Sequence, residues 1–461
     1  MTDPYSDTIV ARATPPGAGA VAIVRASGPQ AITALQQCFE PASRKPAASH
    51  HLAFGHWRRP DGSEVIDSVL AVRMDGPHSY TGEDVVEVHC HGGGAVVEAI
   101  VDSFIACGAR HARPGEFTRR AFLNGRMDLA QAEAVADLVA ARTDRARQAA
   151  VRQLEGELSR RIGRARERLI AVIAEMEAYL DFSEEDLAAP DPARWAGEIE
   201  SLRAETARLA DQGRRGRFLR EGLRVVIAGA PNVGKSSLFN ALVGMERALV
   251  SPHPGTTRDT IEATLEIDGL AVTLVDTAGL RDADAGEIER MGIARAQREI
   301  DAADLVLWLE VAQTPPPSEE HAFSPTPPPP ERRRLRIGAK SDLARPDDID
   351  TIGDRFDVLV SSATGAGLPD LERLLSERLR AVLGHNAEEV DPLVTHRRHV
   401  AAFAQTANAL ARALESLAAG ESSEFAVADL RSALDSLNSI LGVETGEAIL
   451  DAIFSRFCIG K

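Results

Sequence analysis

The sequence predicts a multidomain chain of mixed class: an N-terminal α+β module, an all-α region in two pieces, and an α/β domain with a mostly parallel sheet inserted between them. Three observations carry this. Short β-branched or alternating runs, Thr8 to Ala13, Val21 to Arg25, Asp67 to Met74 and Asp84 to His89, are separated by turn clusters such as Pro15-Pro16-Gly17 and Thr81-Gly82. From Leu123 the composition turns to Ala, Arg, Glu and Leu with almost no β-branched clusters. At Leu223 it switches again, to buried-strand runs alternating with helical stretches. The implied boundaries are 1–122, 123–220, 221–382 and 383–461.

Taken in order, Ala95 to Ala106 reads as the helix of the first module. Leu154, Leu158, Ile162, Ala165, Leu169, Val172, Met176 and Leu180 recur at steps of three and four, which predicts one long helix with an apolar face. Its other face carries Arg160, Arg161, Arg164, Arg166 and Arg168, either a solvated surface or a phosphate-contacting stripe. Strands are expected at Val225 to Ala228, Ala271 to Val275, Leu305 to Leu309, Leu335 to Ile337 and Val358 to Val360. Thr314 to Pro330 holds eight prolines and reads as a stiff, polyproline-like loop, to which no function is assigned. From Pro392 the chain is helical, with Phe425, Leu430, Leu434, Leu437 and Leu441 on one face and Ile449, Ile453 and Phe457 on another. Two helical stretches around an insert fold most simply as one discontinuous domain, which requires the insert's ends to be close.

Composition excludes several classes. With 44% hydrophobic and 26% charged residues the chain is globular, not disordered. Against 52 Lys and Arg stand 69 Asp and Glu, a net charge of −17, so nucleic-acid contact needs a local basic patch. No apolar run approaches the roughly 20 residues of a membrane helix. Met1 to Val10 has no basic segment of the signal-peptide kind. Four scattered cysteines, Cys38, Cys90, Cys107 and Cys458, make no disulfide framework, and a cytoplasmic setting is expected.

The chemistry is densest at Gly229-Ala230-Pro231-Asn232-Val233-Gly234-Lys235-Ser236, a phosphate-loop pattern after a buried strand and before a helix opening with Ser237. Glycines let backbone N–H groups close around phosphate oxygens, Lys235 reaches the outer phosphates, and Ser236 offers an oxygen to Mg²⁺. Asp276-Thr277-Ala278-Gly279 follows a strand, where a carboxylate can hold Mg²⁺ through water and a glycine N–H can meet the terminal phosphate. Thr256 and Thr257 lie where a switch loop with a Mg²⁺-ligating threonine belongs. In Ala339-Lys340-Ser341-Asp342, Asp342 can accept two hydrogen bonds from a guanine edge and Lys340 can pack on the base. Ser361-Ser362-Ala363 would close the base pocket. Together these read as a GTP site.

The order of these motifs resembles a GTPase of the translation-factor-related class. Gly255-Thr256-Thr257-Arg258-Asp259, the terminal Phe457-Cys458-Ile459-Gly460-Lys461, Ala13-Thr14-Pro15-Pro16-Gly17 and Arg113-Pro114-Gly115-Glu116-Phe117 narrow it: the chain resembles the MnmE (TrmE) family of tRNA modification GTPases over nearly its whole length. The resemblance implies an N-terminal folate-binding and dimerising domain, a discontinuous helical domain and an inserted G domain. It implies a homodimer that works with an FAD-dependent partner, MnmG, on the wobble uridine of tRNA. A 5,10-methylene- or 5-formyl-tetrahydrofolate would supply the one-carbon unit, and K⁺ would stimulate GTP hydrolysis.

Carried over by position, Asn232, Ser251, His253 and Thr256 match the K⁺ ligands, Ser236 and Thr257 the Mg²⁺ ligands, and Glu289 the glutamate that orients the attacking water. Lys235 and Thr257 complete the catalytic set. Arg25, Glu87, Arg126 and Lys461 fall on the folate positions: the cations suit an anionic folate and Glu87 suits the pterin edge. Three departures stand out. Ala339 occupies the place of a usual asparagine that braces the phosphate loop, so guanine-nucleotide binding is expected to be weaker, with Asp342 keeping selectivity. Arg126 replaces a common lysine, and the proline-rich stretch replaces more ordinary sequence. Cys458 is open to a catalytic or a structural reading; it fits a prenylation box poorly. In a strand His89 and His91 share a face that Cys90 opposes, which disfavours a metal there. The competing functional reading is a GTP-dependent ribosome-assembly or RNA-binding switch without modification chemistry, which would have no need of a folate pocket.

Overall fold

A computed structural model describes residues 7–43, 48–181, 191–245, 261–277, 287–313, 329–345, 349–383, 393–420, 422–443 and 446–461. In chain order the first module holds β1 (Ile9–Arg12), β2 (Val21–Ser27), α1 (Ala31–Cys38), β3 (Phe39–Pro41), β4 (Ala53–Arg58), β5 (Val65–Met74), β6 (Val85–His91), α2 (Gly94–Ala106), β7 (Arg110–His111) and α3 (Glu116–Leu123). Helices α4 (Leu129–Ala140), α5 (Asp144–Leu154), α6 (Glu157–Asp181) and α7 (Pro192–Glu221) follow. Then come β8 (Leu223–Gly229), α8 (Lys235–Met245), β9 (Ile261–Ile267), β10 (Leu270–Asp276), α9 (Glu287–Ala302), β11 (Leu305–Val311), β12 (Arg334–Ala339), α10 (Ile349–Gly353), β13 (Val358–Val360) and α11 (Leu368–Leu383). The chain closes with α12 (Arg397–Ala418), α13 (Ser423–Leu441) and α14 (Glu447–Phe454). Two compact units result: 1–136 with 153–178 and 430–461, and 137–152 with 179–429.

In the first unit a sheet of order β3-β4-β5-β6-β2-β1-β7 is antiparallel except where β7 joins β1. Alternation along β2 sends Ala22, Val24 and Ala26 into a core shared with Trp57, Val86, Val88, Ile100 and Phe104. The rings of Trp57 and Phe104 lie 5.1 Å apart between centroids. The same alternation places Arg25 directly opposite Glu87 on the other face. Strands β3 and β4 were not expected, because Phe39–Pro41 is short and β4 carries Gly55 in its middle; a Cβ there would stand 2.3 Å from the Glu40 carbonyl.

The Arg113 to Phe117 run folds as a turn into α3. Gly115 adopts φ +68°, and a Cβ on it would lie 2.6 Å from the Phe454 carbonyl oxygen. Glu116 accepts from the Arg113 N–H at 2.8 Å and from Arg110 at 2.6 Å. Arg120, 1% exposed, donates to Asp7 (2.6 Å), Glu83 (3.1 Å) and Glu116 (3.3 Å). Ser27 continues the network to Glu83 at 2.6 Å. Burial alone would raise Glu116, but the bonds from Arg110 and Arg113 and the charges of Arg110 and Arg120 outweigh it and hold this carboxyl below the ordinary range.

The long helix predicted from Leu154 is divided. Gly156 at φ +78° ends α5, and α6 starts at Glu157, so Leu154 belongs to the preceding helix. In the first unit α6 is joined to α13 by Arg166 to Asn438 (2.6 Å) and Glu177 to Arg431 (2.7 Å). In the second unit α7 packs on α12 and the segment before it. A Cβ at Gly216 would stand 2.3 Å from the Val394 carbonyl oxygen, so glycine sets that close approach. Helices from the two sides of the insert thus pair within each unit, α6 with α13 in the first and α7 with α12 in the second.

The second unit's sheet runs β13-β12-β11-β8-β10-β9 and is parallel except for β9, which pairs antiparallel with β10. Asp268 and Gly269, both at positive φ, close that hairpin. Val225, Ile227, Leu274 and Leu307 face one core and Val226, Val275, Val306 and Trp308 the other, which is why these strands read as continuous apolar runs. Most of the proline-rich stretch, 314–328, lies outside the described residues.

Replacing Arg120 by methionine leaves three carboxylates short of a partner and should cost about 3 kcal/mol of stability, read by chemical denaturation. Because Glu116 and Asp7 are held below their ordinary values, their contribution is present above the unfolded carboxylate range and is lost on acidification. Wild-type stability should therefore fall steeply below about pH 4, and the variant's more gently.

Candidate functional site

The phosphate loop hangs from the middle of the second sheet, at the end of β8 and the start of α8. Gly229 can turn there because its missing Cβ would otherwise meet the Leu309 carbonyl oxygen at 2.3 Å. Gly234 has φ +111°, a conformation that favours glycine, with open space where a Cβ would be. Asn232 sits at φ +57°, a conformation asparagine tolerates better than most residues. Val233 is buried and anchors the loop.

Lys235, 5% exposed, donates from Nζ to the carbonyls of Ala230 (2.8 Å) and Gly229 (3.2 Å). Its ammonium therefore lies inside the loop it serves. Ser236 and Ser237 follow in the first turn of α8. Asp276 ends β10 fully buried, in register with Ile227 of β8. Thr277 fixes that strand end by donating to the Ile227 carbonyl at 2.8 Å.

The base-reading segment closes from the next strands. Ala339 ends β12, buried, with its carbonyl accepting from Ala312. Lys340 at φ +59° sends Nζ to the Asn232 carbonyl at 2.8 Å, joining the base-reading segment to the phosphate loop. Asp342 is exposed in a short 3₁₀ turn, Ser341–Leu343. Ser361 is buried; its hydroxyl accepts from Thr364 N (3.2 Å) and its N–H donates to Ala366 O (2.9 Å), shaping the loop that carries Ser362 and Ala363. Ser251, His253, Thr256, Thr257, Ala278 and Gly279 lie outside the described residues. Glu289 falls in the first turn of α9, and its side chain lies outside them too.

The first unit brings together a second set. Arg25 pairs with Glu87 at 2.7 Å and reaches the Gly460 carbonyl at 3.5 Å. The chain's end is held there because Gly460, at φ +95°, approaches so closely that a Cβ would lie 2.2 Å from the Arg12 carbonyl oxygen. Lys461 follows directly, its N–H donating to Cys458 O at 3.3 Å, and the Cys458 thiol is exposed. Among the described residues no hydrogen bond or ion pair links Arg126 to Arg25 or Glu87; its stem runs over Gly82, where a Cβ would stand 3.3 Å from its Cγ.

Three neighbours were not read from the sequence as residues of this site. Tyr80 and Phe117 stack on the Arg25 guanidinium at 5.3 and 5.7 Å. His89 lies on β6 with Nε2 at 3.6 Å from Glu87 Oε2, buried and without a hydrogen-bond partner among the described residues. Burial raises the Tyr80 phenol, opposed by its bond with Thr118 and the Arg25 charge. Period-two placement of His89 beside Glu87 was the one available hint.

The MnmE helical domain model matches residues 129–458, and the model of the GTP-binding protein TrmE N-terminus matches residues 8–126. The tRNA modification GTPase MnmE of Moorella thermoacetica is 44% identical, with 99% of each chain covered. That of Syntrophotalea carbinolica is 44% identical, again over 99% of both, and that of Synechococcus sp. (strain JA-3-3Ab) 42% over the whole of both. With a phosphate loop at the centre of a parallel sheet and full-length likeness to these relatives, the chain belongs to the MnmE family of tRNA modification GTPases.

Proposed function

We propose that this GTPase is stimulated by K⁺ and, with the FAD-dependent partner MnmG, adds a carboxymethylaminomethyl-type group to C5 of the tRNA wobble uridine, using a tetrahydrofolate one-carbon unit. The observation that carries the reading is the meeting of Arg25, Glu87 and the C-terminal tail in a unit that holds no part of the phosphate loop. A nucleotide switch alone has no use for it.

In the GTP site Lys235 would exchange two carbonyl partners for the outer phosphates, a gain because those oxygens carry full charge. Ser236 and Thr257 would hold Mg²⁺, with Asp276 behind them. Asn232, Ser251, His253 and Thr256 would hold K⁺. These cations would offset negative charge on the β- and γ-phosphates. The fit rests on donor chemistry: a serine in the first turn of α8, a buried carboxylate at the end of β10, and a loop turned open at Asn232. Glu289 would orient the attacking water, and Lys340 with Asp342 would select guanine.

In the first unit Arg25 and Lys461 would meet the folate carboxylates, and Glu87 the pterin edge. The unsatisfied His89 Nε2 fits a polar ligand there. Arg126 would join from its exposed position near Gly82, and the exposed Cys458, three residues before Lys461, would offer a thiol. The folate would supply the carbon; the protein would position it and shield it from water. The family reading includes a homodimer joined through its N-terminal domains.

GTP should be hydrolysed faster in KCl than in NaCl at equal ionic strength; equal rates would remove the cation from the mechanism. Arg25→Ala should weaken 5-formyltetrahydrofolate binding at least ~10-fold by calorimetry, since a charged hydrogen bond is lost, while GTP turnover stays unchanged. Lys340→Ala should raise the GDP dissociation constant by about tenfold with no change in melting temperature, because its bond to Asn232 is exposed and organises the loop without supporting the core.

A further inference from the structure

We infer that an arginine-lined cleft in the second unit holds a phosphate of the RNA backbone, an assignment that rests on the tRNA reading above. The cleft encloses about 540 Å³. Arg214, Arg215 and Arg217 from the end of α7 line it with Arg333 from the turn before β12, and its acids are Asp211 and Asp304.

Both acids are already engaged. Asp211 pairs with Arg214 at 2.5 Å, and Asp304 accepts from the Arg224 N–H at 2.9 Å. Among the described residues Arg215, Arg217 and Arg333 form no ion pair. The Nε atoms of Arg217 and Arg333 are buried and have no acceptor among the described residues. Arg333 donates from Nη2 to the carbonyls of Ile300 (2.8 Å) and Asp301 (3.4 Å) at the end of α9, which anchors one side of its guanidinium. Guanidiniums that line a cleft without a carboxylate partner have donors to offer an entering anion. Among the described residues four guanidiniums against two carboxylates make the cleft positive in a chain of net charge −17, which is the local patch that RNA contact requires.

The chemistry selects phosphate over a base. Planar guanidinium forks match phosphate oxygens. Phe218, the one aromatic side chain in the lining among the described residues, is buried and covered by Arg217 at 4.6 Å, so none of them offers a ring for stacking. The alternative stripe on α6 is largely satisfied internally: Arg160 binds Glu155 O, Arg161 pairs with Glu157, and Arg166 binds Asn438.

The test is fluorescence anisotropy of labelled tRNA with the full chain across a salt series. Arg215→Gln with Arg217→Gln should weaken binding ~10-fold near 0.15 M salt and lower the slope of log Kd against log salt by about two. Arg333→Gln, in a different element, should act in the same direction. An Arg160→Gln with Arg164→Gln control should bind as wild type, and all should hydrolyse GTP normally, which certifies their fold. Unchanged affinity and slope in the α7 and Arg333 variants, with wild-type tRNA binding intact, overturns the cleft and leaves the tRNA reading standing. A wild type that binds no tRNA overturns both. Micromolar binding of inorganic phosphate that the α7 variant loses, with tRNA binding retained, assigns the cleft to a free phosphate and overturns the RNA assignment.

Discussion

Main-chain amides can grip a phosphate only where the backbone turns without a Cβ in the way. The end of β8 meets that condition, and the second unit is arranged around it. Gly229 presses against the Leu309 carbonyl because β8 is flanked on both sides by parallel strands, and those strands are buried on both faces. A rigid sheet delivers the glycine turn, the Lys235 ammonium and the Asp276 carboxylate to one edge. Thr277 and Lys340 are the side-chain ties that hold the neighbouring segments to it. The brace expected of an asparagine is absent at Ala339, and Lys340 supplies a link to the phosphate loop from the next position.

The first unit obeys a different constraint: charges taken out of water must find partners. Arg120, Glu116, Asp7 and Glu83 satisfy one another beneath α3. The pair Arg25 and Glu87 is only partly enclosed, and two aromatic rings and the chain's own terminus crowd around it. The first network is buried and ties α3 to the segment before β1, with both terminal nitrogens of Arg120 engaged. The second leaves donors and acceptors available, with His89 among them, which is the condition for binding something polar.

Much of this was legible in the amino-acid order. The phosphate loop, the strand at Leu223, the parallel insert and the helical flanks follow from local rules, because periodicity and glycine placement act over a few residues. Legibility ended where a feature depended on distant partners. Strand β9 departs from the apolar runs of its neighbours because one of its faces carries Glu262, Thr264 and Glu266, although the alternation and the Asp268-Gly269 turn were there to be read. The break at Gly156 was missed because the spacing of apolar residues runs through it.

What the sequence by itself determined was the kind of chemistry: a phosphate loop and its companion motifs in a mostly parallel sheet, which is the machinery of a GTPase. Tertiary structure alone decided that Arg25 and Glu87 face one another across β2 and β6, and that Gly460 brings the terminus to them. It also decided that the arginines of α7 share a cleft with Arg333 while those of α6 do not remain free. The reason is physical. Hydrogen bonds and hydrophobic periods are local and leave a mark in adjacent residues, whereas burial and charge pairing across more than four hundred residues of chain are set only when the elements pack.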